Sequence, residues 1–421
     1  MRLKDWLDIS TEGFSQRQAD RPPAHLLKEL IQNALDATAG EVDVRIEPEK
    51  LGRKTHVKLT VTDNGPGILN IEDVRTVFCT SKTDSFLLRG RLGQGMKEIL
   101  CLCQEAIVSS RAIQARFFIE KGKRVCDVAK VSGFPGTSVT MWIPWKPDVI
   151  PELERYLHTF VVPADVTMKI NERTAAGSKL PVAYAVDVTL KTELFEKSRW
   201  VRRERPGVVH LIAPSFPSDT MKIYEMGIPV QELDWTQPYH INVQMRVPMN
   251  PRRDAVAAGY LKDLYCQILP VLMPKIKPED LRDEWVSLAI ENADPNTRKN
   301  VVAAAFGANA VRSVPTFGQH DFDSDARERG LRPIDTSLLP KGLRDATRET
   351  LVTSRDAEMT RRDEILTAPR VVYTTDQFEA VRRFVGWLAG ELVGMSVCVD
   401  MVEKLGTDLS PAVATRGMPA G

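Results

Sequence analysis

The sequence predicts an α/β protein built from more than one domain. Three observations point there. At 421 residues the chain is too long for a single small domain and long enough for two or three. Short segments of alternating or β-branched apolar residues recur between segments whose apolar residues are spaced by three and four. Prolines at Pro144, Pro147 and Pro151 then punctuate the chain as a boundary. A hydrophobic content of 43% and a charged content of 27% belong to an ordinary globular composition.

Residues 1 to about 20 read as a lead-in within a first domain at 1–147. A helix is expected over Ala24–Thr38, because Leu26, Leu27, Leu30, Ile31, Ala34 and Leu35 make one apolar face. Strands are expected at Val42–Ile46, Val57–Val61, Ala106–Ser110, Ala115–Ile119, Val125–Val131 and Thr137–Ile143, with a second helix at Met96–Gln104. A second α/β domain at 148–275 has strands at Val166–Ile170, Tyr184–Leu190, Val208–Ile212 and Ile223–Val230. Residues 276–405 are charged and mainly helical in pattern. Mixed-sign charge over 341–367 suggests a solvated helix, and Phe378–Val393 has an apolar helical face. The Gly, Pro, Ala and Thr of 406–421 predict a disordered tail.

Composition narrows the function classes. A net charge of +1 gives no global attraction to nucleic acid. The run Lys197–Arg205, basic and carrying Trp200, is suited to a phosphate backbone or, more simply, to a solvated loop. The six cysteines are scattered, with Cys101 and Cys103 one residue apart and no C-x-x-C pair, so neither a zinc site nor a disulfide framework is expected. Together with a charged N-terminus and no apolar run of spanning length, this predicts a cytoplasmic protein without a membrane segment. His320-Asp321-Phe322-Asp323 reads as a solvated loop rather than a metal site.

Three segments carry chemistry. In Glu29-Leu30-Ile31-Gln32-Asn33-Ala34-Leu35-Asp36-Ala37, helical spacing puts Glu29, Asn33 and Asp36 in one polar row. Asn33 offers a neutral oxygen to a hard cation such as Mg²⁺, and Glu29, one turn away, is placed to take a proton from water. The same segment also suits an amphipathic helix with a solvated edge. Asp63-Asn64-Gly65-Pro66-Gly67-Ile68 ends a strand in a tight turn, where Asp63 can accept a hydrogen bond from an exocyclic amine, or simply shape an Asp-Asn-Gly turn. Gly90-Arg91-Leu92-Gly93-Gln94-Gly95-Met96-Lys97 leads into a helix, an arrangement that brings backbone amides and Lys97 to phosphates. It is not a P-loop, since Met96 and Glu98 stand where that motif needs Lys and Ser or Thr.

Together these segments resemble the N, G1 and G2 boxes of the GHKL ATPases: gyrase-type topoisomerases, ninety-kilodalton heat-shock chaperones, histidine kinases and MutL. Gly136-Thr137 resembles the late Gly-Thr of that superfamily, and the resemblance covers about residues 20 to 145. It implies an α/β two-layer sandwich, the Bergerat fold, binding ATP and Mg²⁺. Carried over, Glu29 would be the general base, Asn33 the Mg²⁺ ligand and Asp63 the adenine reader. Gly65 and Gly67 would shape the adenine pocket, Thr137 would support Asp63, and Gly93, Gly95 and Lys97 would hold phosphates. Asp36 matches the N-box Asp, as a brace more than an ATP contact. Thr80-Ser81-Lys82 resembles a segment of MutL and of the type VI topoisomerase B subunit, adding Lys82 to the cofactor-binding set. The Gly-x-Gly-x-Lys spacing resembles MORC ATPases.

A second resemblance lies downstream. Asn250-Pro251-Arg252-Arg253-Asp254 looks like the middle-domain catalytic loop of the chaperones, which makes Arg253 the candidate for the γ-phosphate. A surface basic cluster is the other reading. The resemblance implies a transducer-like second domain and a hydrolysing switch that forms an ATP-dependent homodimer, acting on DNA, with a DNA-processing partner subunit, or on a protein client. A histidine-kinase-type phosphotransferase and a nucleotide-dependent binding module with negligible turnover are the alternatives.

Overall fold

The computed structural model describes residues 10–19, 21–76, 85–90, 93, 95–175, 180–196, 199–216, 218–250, 255–314, 321–367, 371–372, 395–402 and 412–419. The chain divides into two compact units, Met1–Val271 and Leu272–Gly421.

The first unit opens with α1 (Thr11–Ala19), α2 (Pro23–Asp36), β1 (Glu41–Leu51), β2 (Lys54–Asp63), α3 (Glu72–Arg75), α4 (Gly95–Leu100), β3 (Glu105–Glu120), β4 (Lys123–Ile143), α5 (Ile150–His158), β5 (Thr167–Ile170) and β6 (Arg173–Thr174). The six strands form one sheet in the order β3-β4-β2-β1-β5-β6. Alternate residues of these strands face the helices. Val42, Val44 and Ile46, Val57, Leu59 and Val61, and Val139, Met141 and Ile143 pack with Leu26, Leu27, Leu30 and Ile31 of α2 and Leu153 and Leu157 of α5. Each such aliphatic side chain stabilises the fold by roughly 1.5–3 kcal/mol when fully buried. The result is the two-layer α/β sandwich.

The sheet of this domain gains two more strands after residue 147. Pro147 and Pro151 sit in the first turns of a 3₁₀ segment and of α5, where a missing N–H costs nothing, so they start elements. β5 then pairs in parallel with β1, Glu41 opposite Thr167. The segments read as two strands each at 106–119 and 125–143 are single long strands, kinked at the irregular pairing around Arg111.

A second sheet follows, from β7 (Val182–Glu196), β8 (Arg199–Ile212), β9 (Lys222–Glu225), β10 (Ile228–Glu232) and β11 (His240–Val243), in the order β10-β9-β11-β8-β7. The stretch expected as one strand, Ile223–Val230, is two, because Met226 and Gly227 both take left-handed φ angles and turn the chain. Residues 199–205, read from sequence as a loop, lie in β8 opposite Leu190–Glu196. Cross-strand pairing with Glu193 and Glu196 makes this basic run compatible with a strand. The unit ends in α6 (Tyr260–Leu272).

The second unit contains α7 (Glu284–Glu291), α8 (Pro295–Phe306), β12 (Ala310–Arg312), α9 (Phe322–Glu328), β13 (Arg332–Ile334), α10 (Lys341–Thr350), α11 (Ser354–Thr367), β14 (Val371–Val372), β15 (Met395–Val402) and β16 (Ala412–Pro419). The charged stretch 341–367 is two helices, separated at Leu351–Thr353. Asp321 is a helix cap, accepting the amides of Asp323 and Ser324, while His320 lies outside the described residues. So does the whole of the expected apolar helix at Phe378–Val393. Within the stretch expected as a tail, residues 412–419 lie in β16. They pair antiparallel with Met395–Val402, and that partner supplies the order their composition does not predict. No helix among the described residues is long and apolar enough to cross a membrane.

Candidate nucleotide site

Helix α2 buries its leucines in the core beneath the sheet. Glu29 is 7% exposed, Asn33 is half-buried and Asp36 is buried. The Glu29 carboxylate packs directly on Gly95, the first residue of α4. A Cβ at Gly95 would collide with Oε2 and Cδ of Glu29, so only glycine lets the glycine-rich turn come this close. Lys97 follows, half-buried, in the same short helix. Tyr156 of α5 is held in its neutral phenol form by burial, with smaller contributions from the Glu29 carboxylate and Tyr224.

The far end of α2 meets the turn after β2. A Cβ on Gly65 would lie 2.8 Å from the carbonyl oxygen of Ala37. Asp63 is buried at the strand end, its Oδ1 accepting the Gly65 amide at 2.9 Å, and Thr137 stands opposite it in register. Gly136 has φ +82°, and a Cβ there would strike the backbone carbonyl of Asp63. Ser110 binds the turn to β4: its Oγ donates to the Gly136 carbonyl (2.9 Å), accepts the Ile68 amide (2.7 Å) and lies 3.3 Å from Thr137 Oγ1. Arg111, in a left-handed conformation, donates from Nε to the Pro66 carbonyl at 3.0 Å. Asn64 Oδ1 accepts the Glu41 amide at 2.9 Å. Ser110 and Asn64 were not singled out from sequence. A signal for Ser110 existed, because it takes the inward position of the alternation Ala106, Val108, Ser110.

Asp36 grips the segment that leads into the glycine-rich turn. Its Oδ1 accepts the Arg89 amide (3.0 Å) and Arg89 Nη1 (3.2 Å), and its Oδ2 accepts the Gly90 amide (2.8 Å). Arg89 also donates from Nε to the Met226 carbonyl at 3.0 Å, which ties the segment to the second sheet. Arg21, just before α2, pairs with Glu98 of α4. Gly93 is half-buried with φ +59°. Lys82 and Arg253 lie outside the described residues, though the stem of the Arg253 loop is defined by the bridge between Met249 and Val256 and by the Asn250 amide donating to the Ala255 carbonyl at 2.9 Å.

Thiol chemistry is disfavoured nearby. Burial pushes the Cys101 thiol up to about 11 and the Cys103 thiol higher still, so neither ionises near neutral pH. The described residues include no group of three His, Cys, Asp or Glu able to hold a metal.

The sandwich, the helix with its buried Glu29 and the two glycine turns define a nucleotide-binding domain of the GHKL type. Residues 19–147 match the family described as histidine kinase-, DNA gyrase B- and HSP90-like ATPase, and this segment is a domain of that superfamily. The chain is similar to DNA mismatch repair protein MutL of Acidiphilium cryptum, 36% identical over 129 residues, covering 28% of this chain and 21% of the relative. It is also similar to MutL of Allorhizobium ampelinum, 31% identical over 148 residues, covering 33% and 23%. The chain thus spans about a fifth of the length of these curated relatives. A crystal structure of the N-terminal domain of a DNA repair protein aligns over 58% of this chain and 91% of its own, at 12% identity and a TM-score of 0.35.

Proposed function

We propose that the chain is an ATP-binding, Mg²⁺-dependent ATPase that works as a conformational switch. One observation carries this reading. A single helix, α2, sets the Glu29 carboxylate against the glycine turn at Gly95 and its own far end against the Gly65 turn. A base, a phosphate-approaching backbone and a purine-reading carboxylate therefore share one scaffold. Asp63 would accept the adenine amino group, with Thr137 and Ser110 holding its turn. Gly93, Gly95 and Lys97 would approach the phosphates. Asn33 would hold Mg²⁺, whose charge on the phosphate oxygens offsets the negative charge of the reacting group. Glu29 would orient a water and take its proton. The match to MutL sequences supports a DNA-linked output through an ATP-dependent homodimer, with DNA, a DNA-processing subunit or a protein client as partner.

The test is ATP hydrolysis by wild type and Glu29→Ala in Mg²⁺, with oligomeric state measured with and without a non-hydrolysable ATP analogue. Glu29→Ala is expected to bind ATP with turnover reduced by about 10²–10⁴-fold, and the analogue to drive dimers. Equal turnover in the two proteins would remove Glu29 from the role of base. Absence of ATP binding by wild type would remove the reading itself.

A further inference from the structure

Arg246 makes contacts that nucleotide binding does not require. It lies past β11 and is wholly buried. Its backbone amide donates to the Phe86 carbonyl at 2.9 Å, its Nε to the Leu88 carbonyl at 2.6 Å and its Nη2 to the Gly90 carbonyl at 2.7 Å. One residue thus takes alternate carbonyls of the segment entering the glycine turn, while Asp36 takes the amides of Arg89 and Gly90 from the other side. The segment is stitched between the ATPase helix and the second sheet. A guanidinium suits this position, because its planar fork meets two carbonyls in fixed geometry and an ammonium does not.

Arg246 also touches the long hairpin. Its guanidinium carbon is 5.2 Å from the centre of the Trp200 ring, and its carbonyl accepts the Thr192 hydroxyl at 2.8 Å. Trp200 packs edge-on against Phe195 across the strand pair, at the end of the hairpin that carries Arg199, Arg202, Arg203 and Arg205. The next residue is fixed too, since the Val247 amide donates to Glu225 Oε2 at 2.8 Å.

We propose that Arg246 is a positioning residue that transmits the nucleotide state of the ATPase site to the arginine-bearing end of the β7–β8 hairpin; this rests on the ATP-binding reading above. Nucleotide at Gly93, Gly95 and Lys97 orders residues 86–90. Ordered carbonyls of Leu88 and Gly90 hold the guanidinium in place, and the guanidinium holds the Trp200 ring. A ligand of the hairpin end would by linkage change nucleotide affinity by the same factor.

The experiment is hydrogen exchange on the full chain, with and without Mg²⁺ and a non-hydrolysable ATP analogue, for wild type, Arg246→Met, Arg246→Lys and Trp200→Leu. In wild type the analogue is expected to slow exchange by about tenfold or more at residues 63–68, 86–90 and 199–206. Arg246→Met keeps the slowing at 63–68 and loses it at 199–206, and Arg246→Lys is intermediate. Trp200→Leu keeps the slowing at 63–68 and 86–90 and loses it at the hairpin alone, which decides the matter if Arg246→Met fails to fold. Hairpin slowing retained at the wild-type level in Trp200→Leu or in folded Arg246→Met overturns the proposal. Slowing at 63–68 without any at 199–206 in wild type overturns it while leaving ATP binding intact. No slowing at 63–68 in wild type overturns the ATP reading and this one with it.

Discussion

Asp36 in the first unit and Asp323 in the second are both buried carboxylates that gather donors from segments distant in sequence. Asp36 takes two amides and a guanidinium from Arg89 and Gly90. Asp323 takes neutral donors from separate places: the Ser313 hydroxyl, the Val314 amide at 3.2 Å and the Ser354 hydroxyl at 2.6 Å. One carboxylate therefore tethers the segment that runs into the glycine-rich turn. The other locks the start of α11 and the chain after β12 onto α9. The Asp36 bonds at Arg89 and Gly90 thus hold two consecutive residues, whereas those of Asp323 join two separate segments.

The substitution with the largest expected effect lies in the turn that both Asp63 and Ser110 brace. Gly136→Ala forces a Cβ onto the Asp63 carbonyl at a φ of +82°, and a loss of about 3–4 kcal/mol is expected in urea unfolding, with ATP binding abolished. Asp323→Ala is expected to cost about 2–3 kcal/mol by stranding two hydroxyls and an amide, with ATP turnover of the folded protein retained. Asp36→Asn leaves the Arg89 guanidinium without its carboxylate. A stability loss of about 2 kcal/mol is expected, together with a turnover defect that Asp323→Ala lacks. If both variants lose stability alone, the distinction between tether and lock collapses.

Acid sharpens the same contrast. Burial pushes the Asp323 carboxyl up, but the Ser313 and Ser354 hydroxyls, the Val314 amide and Arg327 together outweigh it and hold the group below the usual range. A depressed folded value means a contribution present above the unfolded pKa and lost as pH falls through the folded one. Wild type should therefore lose stability more steeply than Asp323→Ala below about pH 4 in acid titrations followed by circular dichroism. The smallest effect is expected at exposed Asp294, which caps α8 through the Asn296 and Thr297 amides. Asp294→Ala should lower the melting temperature less than either buried variant and leave turnover unchanged.

Much of the ATPase domain was legible because its signals are local. Leu26, Leu30 and Ile31 announce a helix by spacing, Val57 to Val61 a strand by alternation, and Asp63-Asn64-Gly65 a turn by residue type. The helical starts at Pro147 and Pro151 were not legible, since a proline that opens a helix and one that ends a segment look alike until packing is known. The strand character of residues 199–205 was hidden by charge, because an isolated run of arginines does not reveal the glutamates opposite it.

Residue type and spacing alone dictated that Glu29 and Asn33 share a helix face, that Asp63 ends a strand and that glycines precede α4, because helical and strand periods are properties of the local backbone. Tertiary structure alone decided that Glu29 meets Gly95, that Ser110 holds the Asp63 turn and that Arg246 reaches back across more than 150 residues to Leu88 and Gly90. Those contacts join segments far apart in the chain. What determines them is which buried donors and acceptors must find partners once the two sheets are packed, and no local pattern records that requirement.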